Sequence, residues 1–204
     1  PNLDVIWISH FHLDHFGGLA PFLFSLKWSP QTQGRAKALK IVGPHGLKRL
    51  LDAINEANNY RLFKQTFDVV VTEIAPNEHF EILHGIRGTT LKTNHNAESL
   101  ALRLTGDDEK TFVYTSDTGF TNELTTFAAY ADVLLLECSF IKDKPLETHL
   151  ELTEVIKIAE SCNPRKLVLT HLYPEWDEVD VVAKARGLGQ GNIVEATDGL
   201  VLRT

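Results

Sequence analysis

Residues 3–19 read LDVIWISHFHLDHFGGL, an apolar run followed at once by three histidines and an aspartate. The β-branched and aromatic side chains of the run predict a buried strand. Alternate residues of an extended segment share one face, so His10 and His12 can converge on one metal ion. Asp14 and His15 point elsewhere as the chain turns into a helix, and they can hold a second ion. The alternative is a solvated polar loop whose histidines only form hydrogen bonds.

Outward from this motif, short apolar runs alternate with amphipathic segments, which is typical of an α/β fold. Strands are predicted at 3–9, 39–43, 132–137 and 166–170, and helices at 19–28, 45–59, 150–161 and 178–187. Between residues 67 and 114, a series of strand-like pieces separated by turn residues predicts an antiparallel stretch. The last predicted element is a closing hairpin, formed by 193–196 and 200–203 around Asp198-Gly199. Because the sequence has no repeats, low-complexity tracts or linkers, we predict one domain over residues 1–204.

Ligand-type side chains also stand where three later strands are predicted to end. His95 follows LKTN, Asp117 follows FVYTS, and His171 follows KLVLT. The transition from strand to loop is the usual place for sites in α/β proteins. Each of these residues alone would more often be structural, but together they supply the ligands missing from the first motif. The sequence therefore predicts a site for two metal ions, with zinc favoured by imidazole ligands and manganese or iron where oxygen ligands are more numerous.

The composition restricts the class of protein. The chain has 204 residues, with 20 Lys and Arg against 27 Asp and Glu, and its formal net charge is −7. This balance argues against a general nucleic-acid binder. No apolar run is long enough to span a bilayer and no signal peptide begins the sequence, so we expect a cytoplasmic protein with no membrane partner. The two cysteines, Cys138 and Cys162, are predicted to be buried, reduced thiols.

The segment HFHLDHFGGL resembles the signature of the metallo-β-lactamase-fold hydrolases, and the order of the later candidates agrees with that family along nearly the whole chain. The resemblance implies an α/β fold (α+β in some schemes), specifically an αββα four-layer sandwich. Its first strands lie upstream of this motif. Since the sequence starts abruptly and contains no methionine, we expect those N-terminal strands to be missing here. The resemblance implies these ligands: His10, His12 and His95 for one ion, Asp14, His15 and His171 for the other, and Asp117 bridging both.

Three segments indicate one branch of this family. HNAESLALR (95–103), LLLECSF (134–140) and LVLTHLYP (167–174) resemble the ribonuclease Z-like phosphodiesterases. An aspartate rather than a cysteine at position 117 argues against the true β-lactamases.

The same resemblance implies the catalytic roles. His149 would assist the departing oxygen, Glu137 would hold His149 or a ligand in the correct tautomer, and Asp14 would orient the nucleophile as well as bind metal. The predicted function is thus a binuclear metal-dependent hydrolase, a phosphodiesterase or nuclease that uses a hydroxide held between two ions.

The expected substrate class follows from two differences between this chain and ribonuclease Z itself, which binds tRNA through a long arm. This chain has no glycine-rich insertion of that length and its charge is acidic, so a small phosphodiester or RNA-like molecule is expected. Tyr173 and Trp176 flank His171, where they either stack on a base or pack against the protein. The alternatives are a glyoxalase II-like thioesterase or lactonase of the same fold, and a non-catalytic metal-binding scaffold. A second copy of the chain, forming a homodimer, is the other partner considered.

Overall fold

The computed structural model describes residues 3–189 and 192–203. The chain divides between Pro76 and Asn77 into two compact units, each with its own sheet and its own apolar core. Within the described ranges, no helix is long and apolar enough to cross a membrane.

The first unit is a three-stranded parallel sheet with three helices. Its strands, in spatial order, are β1 (Val5–Trp7), β2 (Leu39–Pro44) and β3 (Val69–Ile74). Its helices are α1 (Leu13–Phe16), α2 (Leu19–Leu26) and α3 (Leu47–Ala57), and a 3₁₀ turn spans Pro30–Thr32. The fully buried side chains of its core come from α2, β2 and α3: Leu23, Ile41, Leu47 and Leu51. Burial of aliphatic side chains at about 1.5–3 kcal/mol each holds the two longer helices to the sheet.

Helix α1 begins inside the histidine motif. His12 is its N-cap residue and has an extended backbone, and the helix is a single turn that ends at Gly17. A Cβ at Gly17 would lie 2.5 Å from the carbonyl oxygen of Leu13, so a larger residue would require the backbone to move. The predicted change from extended chain to helix is therefore confirmed, and it places Asp14 and His15 on the helical turn.

The second unit is a seven-stranded mixed sheet in the spatial order β10-β9-β8-β7-β6-β5-β4. Its antiparallel half consists of β4 (His79–Leu83), β5 (Ile86–Lys92), β6 (Leu100–Gly106) and β7 (Thr111–Tyr114). Its parallel half adds β8 (Val133–Glu137), β9 (Leu167–Thr170) and β10 (Ile193–Glu195). Its helices are α4 (Asn122–Phe127), α5 (Leu152–Cys162) and α6 (Val181–Arg186), and a 3₁₀ turn spans Pro174–Trp176.

The parallel pairing of β7, β8 and β9 determines where polar side chains collect. Parallel strands end at the same edge of a sheet, so the residues that follow these three strands become neighbours. Helix α5 buries its apolar face in the core of this unit and is fixed at its start by a capping box between Glu151 and Glu154. The loop that precedes α5 therefore returns to the same edge.

One piece of the predicted antiparallel stretch belongs to the other unit, so that part of the prediction is wrong. Strand β3 pairs in parallel with β2, with Leu39 opposite Val69 and Pro44 opposite Ile74. A parallel pair needs a long crossover, and residues 45–68, which include α3, provide it. Exposure alternates along most of β3, and this pattern suits either orientation, so the strand's own sequence does not reveal its direction.

The predicted closing hairpin is also wrong. Strand β10 pairs in parallel with β9, and residues 200–203 form no strand. The turn itself exists, since Leu200 N–H donates to the carbonyl oxygen of Thr197 at 3.0 Å and Gly199 has a φ of +80°. Val201 is 80% exposed, so a further strand there would gain little from apolar burial.

The remaining predicted strands and helices are confirmed to within a few residues, as is the antiparallel pairing of β4 to β7. The two thiols are free and buried, as predicted. Burial raises the pKa of the Cys162 thiol to about 11. Burial, together with the negative charges of Glu137 and Glu175, also raises the pKa of Cys138. Neither thiol is an activated nucleophile.

Candidate metal centre

In the first unit, the three imidazoles of the motif lie in contact with one another. The ring centroid of His10 is 4.7 Å from that of His12 and 4.1 Å from that of His15. His10 is completely buried, and the Ser9 hydroxyl lies 3.1 Å from its Nδ1 atom. Asp14 is mostly exposed and places Oδ2 3.4 Å from His15 Nε2. The ligand-type atoms form two close pairs, His10 with His12 and Asp14 with His15.

In the second unit, a buried carboxylate lies between two imidazoles that come from separate strand ends. Asp117 follows β7 and its side chain is 2% exposed. Its Oδ2 atom lies 3.8 Å from His95 Nε2 and 3.3 Å from His171 Nε2. A single carboxylate oxygen thus faces two imidazole nitrogens, which is the arrangement expected of a group that shares a positive charge with both.

Two residues at these strand ends have left-handed backbones. Ser116 has a φ of +59° and His171 a φ of +54°. This conformation is uncommon for residues other than glycine and costs of order 1 kcal/mol or more. A histidine occupies position 171 despite that cost, and its left-handed backbone is part of the geometry that presents the imidazole to Asp117.

Glu137, the last residue of β8, is a buried carboxylate whose two oxygens are both engaged. Oε1 accepts from Thr118 N–H at 2.7 Å and lies 3.0 Å from His149 Nδ1. Oε2 accepts from the Ser139 hydroxyl at 2.6 Å and from Leu150 N–H at 3.1 Å. A buried charge is tolerated when donors surround it in this way. The contact between Glu137 and His149 is the pairing that the sequence analysis proposed.

His149 is buried beside the Asp117 group. Its ring stacks on that of His171 with a centroid distance of 5.5 Å and an interplanar angle of 8°. Its Nε2 atom lies 3.5 Å from the Tyr173 hydroxyl. The ligand-type atoms of Asp117, His149 and His171 lie within 4.8 Å of one another, so these three side chains alone could hold an ion. By geometry, His149 is suited either to bind metal or to transfer a proton.

Lys144 holds the loop that carries His149. Its ammonium group donates to the His149 carbonyl oxygen at 3.0 Å and to Glu154 Oε1 at 2.9 Å. Glu147 lies 3.3 Å away. Burial on its own lowers the pKa of Lys144, but the hydrogen bonds and charges of the two glutamates outweigh it, so the pKa is raised. The lysine therefore stays charged and ties the loop to the start of α5.

The sequence analysis missed Ser139, whose hydroxyl lies 3.3 Å from His149 Nδ1 and 3.0 Å from His171 Nδ1. The available signal was the alternation along 137–139, because residues two apart on an extended chain share a side. Of the two aromatic residues predicted to flank His171, Tyr173 is beside its ring at 5.3 Å. Trp176 is buried in the core of the second unit instead.

Comparison with known proteins identifies the family. The sequence-family model described as the beta-lactamase superfamily domain matches residues 1–172. The chain therefore belongs to that family. The protein named "Probable metallo-hydrolase YhfI" from Bacillus subtilis (strain 168) is 28% identical over 204 residues, covering 98% of this chain and 78% of its own length. Its crystal structure, described as a metallo-beta-lactamase fold protein, superposes with a TM-score of 0.80 at 25% identity, over 98% of this chain and 78% of that one.

Ribonucleases Z are also among the relatives. The ribonuclease Z of Archaeoglobus fulgidus is 23% identical, over 95% of this chain and 78% of its own length. The structure of the short form of human tRNase Z has a TM-score of 0.73 at 20% identity, over 98% of this chain and 78% of that one. The predicted metallo-β-lactamase fold and the resemblance to ribonuclease Z-like proteins are thus confirmed.

Proposed function

We propose that this chain is a binuclear metal-dependent hydrolase that cleaves phosphodiesters. The observation that carries the proposal is the buried Asp117 carboxylate, with the imidazole nitrogens of His95 and His171 at 3.8 and 3.3 Å from one oxygen atom. A carboxylate placed in this way is a natural bridge between two cations.

The proposed ligand set is the one that the family resemblance implies, and it takes ligand-type side chains from both units. The proposed ligands are His10, His12 and His95 for one ion, Asp14, His15 and His171 for the other, and Asp117 for both. This set has more imidazoles than carboxylates, which favours zinc over manganese or iron.

Two bound divalent ions would lower the pKa of a bound water molecule toward neutral pH. Their positive charge would also offset the negative charge on the reacting phosphate. The side chains of the protein would orient the reacting groups. Asp14 is exposed beside His15, where its second oxygen can accept a hydrogen bond from the attacking water. It would thereby orient the nucleophile as well as bind metal.

His149 is the proposed proton donor to the departing oxygen. Its Nδ1–H donates to Glu137, which fixes the ring and stabilises its protonated form, so Nε2 is the nitrogen that delivers the proton. The Tyr173 hydroxyl, 3.5 Å from Nε2, lies where a leaving group must approach. A positioned acid of this kind contributes about 10²–10⁴-fold to the rate.

Two arguments favour phosphorus over an acyl carbon as the centre attacked. The relatives include ribonucleases Z, and the pair of Glu137 and His149 provides an acid for an alkoxide leaving group, which a thiolate does not need. The net charge of −7 favours a small phosphodiester, or a short RNA-like one, over a large polyanion. A cytoplasmic location stays a prediction.

The test is a substrate panel with metal counted on the same sample. The zinc-loaded or manganese-loaded protein is assayed on bis(p-nitrophenyl) phosphate, a short RNA and an S-acyl glutathione, before and after chelation. We expect two ions per chain and metal-dependent turnover of the diester. His84→Ala, which removes a fully exposed histidine, is the matched control and should leave both unchanged.

The other outcomes separate the alternatives. Preferential turnover of the thioester would indicate a thioesterase of the same fold. A fully loaded protein that hydrolyses none of the panel would indicate a metal-binding scaffold.

A further inference from the structure

Ser139 lies between one carboxylate and two imidazoles, and no role has been assigned to it so far. We infer that Ser139 is a positioning residue that fixes His171 in the tautomer with a proton on Nδ1, so that Nε2 presents its lone pair toward Asp117. The inference rests on the proposed function, because the lone pair on Nε2 matters only if His171 binds metal.

The sequence places Ser139 by simple alternation. The chain stays extended beyond β8, since Cys138 N–H donates to the carbonyl oxygen of Thr170 at 2.9 Å. Glu137 and Ser139 therefore project to one side of the sheet edge, while the Cys138 side chain packs in the apolar core on the other side. The polar-apolar-polar triplet at 137–139, at the end of a buried strand, thus contributes Glu137 and Ser139 to the site.

The direction of each hydrogen bond follows from counting protons. The Oε2 atom of Glu137 accepts from Leu150 N–H, and its partner Oε1 accepts from Thr118 N–H. The carboxylate therefore acts as an acceptor on both oxygens. The Ser139 hydroxyl has one proton, and it donates that proton to Oε2 at 2.6 Å, the shortest of its contacts.

Because that proton is used, the Ser139 oxygen can only accept from the two imidazoles. His171 Nδ1, at 3.0 Å, must then carry a proton, as must His149 Nδ1, at 3.3 Å from Ser139 and 3.0 Å from Glu137. One buried carboxylate thus sets the tautomers of both imidazoles, one directly and the other through a hydroxyl.

The consequence for His171 is specific. In the tautomer with the proton on Nδ1, the ring nitrogen without a proton is Nε2, and that atom lies 3.3 Å from Asp117 Oδ2. Two lone pairs at this distance repel each other unless a positive charge is shared between them. Ser139 therefore prepares His171 and Asp117 to bind a cation jointly.

The first test compares zinc affinity, measured by competition with a chromophoric chelator, in Ser139→Ala and Ser139→Thr. We expect Ser139→Ala to lower the affinity by about 10–100-fold and Ser139→Thr to restore most of it. Thr32→Val is the matched control, since it removes another buried hydroxyl, bonded to the Leu26 and Ser29 carbonyl oxygens. It should lower stability but leave zinc affinity unchanged.

The second test is made on the wild-type protein and so does not depend on how well Ser139→Ala folds. Nitrogen-15 NMR of the histidine rings reports which nitrogen is protonated, with His171→Asn used to assign the signals. We expect a proton on His171 Nδ1 in the zinc-loaded and the metal-free protein. A bare or metal-bound Nδ1 in either sample would overturn the inference, as would wild-type zinc affinity in a folded Ser139→Ala variant.

These failures are distinguishable from failure of the proposed function. If the wild-type protein holds two ions and hydrolyses diesters but Ser139→Ala binds zinc as tightly, only the role of Ser139 is wrong. If the wild-type protein binds no zinc, the proposed function fails, and the inference that depends on it fails with it.

Discussion

The two units carry their ligand-type side chains in opposite ways. In the first unit, four such residues lie within the six positions 10–15, and one passage from extended chain to helix presents them all. In the second unit, the corresponding residues are spread from His95 to His171, and the ends of neighbouring strands bring them together. One half of the proposed centre thus comes from a single short segment, and the other half is assembled by the strands of a sheet.

This difference has consequences for stability. A cluster within one turn depends on a few local dihedral angles, whereas a cluster assembled by β7, β8 and β9 exists only when the whole sheet is folded. We therefore expect metal binding to depend on the folding of the second unit far more than on the folding of the first. The predictions below probe that contrast in order of decreasing effect.

The largest effect is expected for Asp117→Ala, which removes the one carboxylate proposed to serve both ions. Metal content should fall to background and diesterase activity by at least about 10³-fold. Elemental analysis and steady-state kinetics on the same preparation measure both quantities. Asp68→Ala, at an exposed position, is the control. Unchanged metal content in Asp117→Ala would refute the bridging assignment.

A paired comparison of His10→Ala and His95→Ala tests whether the two units serve the same ion. Each variant removes one proposed ligand of that ion, one local and one assembled by the sheet. Both should lower the zinc content from two ions per chain to about one. If only one of the two variants loses zinc, the ion belongs to a single unit and the combined site is wrong.

The proton-donor role of His149 predicts a purely kinetic defect. His149→Ala should lower kcat by about 10²–10⁴-fold while both ions stay bound. An activated leaving group such as p-nitrophenolate should suffer less than an unactivated alkoxide, because it needs less protonation. Loss of one ion from His149→Ala would instead make this residue a ligand, which the distances to Asp117 and His171 also permit.

A smaller effect is predicted on stability in alkali, and it concerns the second unit alone, since both thiols lie there. The pKa of Cys162 is about 11 in the folded chain against 9.0 for an ordinary thiol, because the thiol is buried. Between these pH values the unfolded chain loses this proton and the folded chain keeps it, so stability falls as the pH rises. At pH 10.5 the loss is roughly 2 kcal/mol.

Urea denaturation at pH 8 and pH 10.5 measures this loss. Cys162→Ala should show a smaller decline between the two pH values than the wild-type protein, whatever its absolute stability. An identical decline in both proteins would mean that the thiol does not contribute.

The sequence predicts the local half of the molecule well. The positions of α1 to α3 and of β1 and β2 follow from patterns within about fifteen residues, and the metal motif lies inside one of them. For the assembled half, the ends of the predicted strands indicate His95, Asp117 and His171 as candidates, but their assignment to particular ions follows only from the family resemblance. The alternation along 137–139 places Ser139 beside Glu137, but its contacts with His149 and His171 come from residues 10 and 32 positions away, which local patterns do not reveal.

The two errors in the fold have a common physical cause. The predictions for strand β3 and for residues 200–203 rest on the residues of those segments alone. Strand direction and pairing are decided instead by the crossover connection and by the burial available at a sheet edge. Val201 illustrates the point, since a β-branched residue with nothing to pack against does not form a strand.

The left-handed backbone of His171 implies a conflict between activity and durability at one position. Its φ of +54° suits glycine better than any branched or aromatic residue. His171→Gly should therefore unfold at a higher temperature than His171→Ala, by the equivalent of about 1 kcal/mol, although both lack the imidazole. At this position glycine would relax the backbone only by removing a proposed metal ligand.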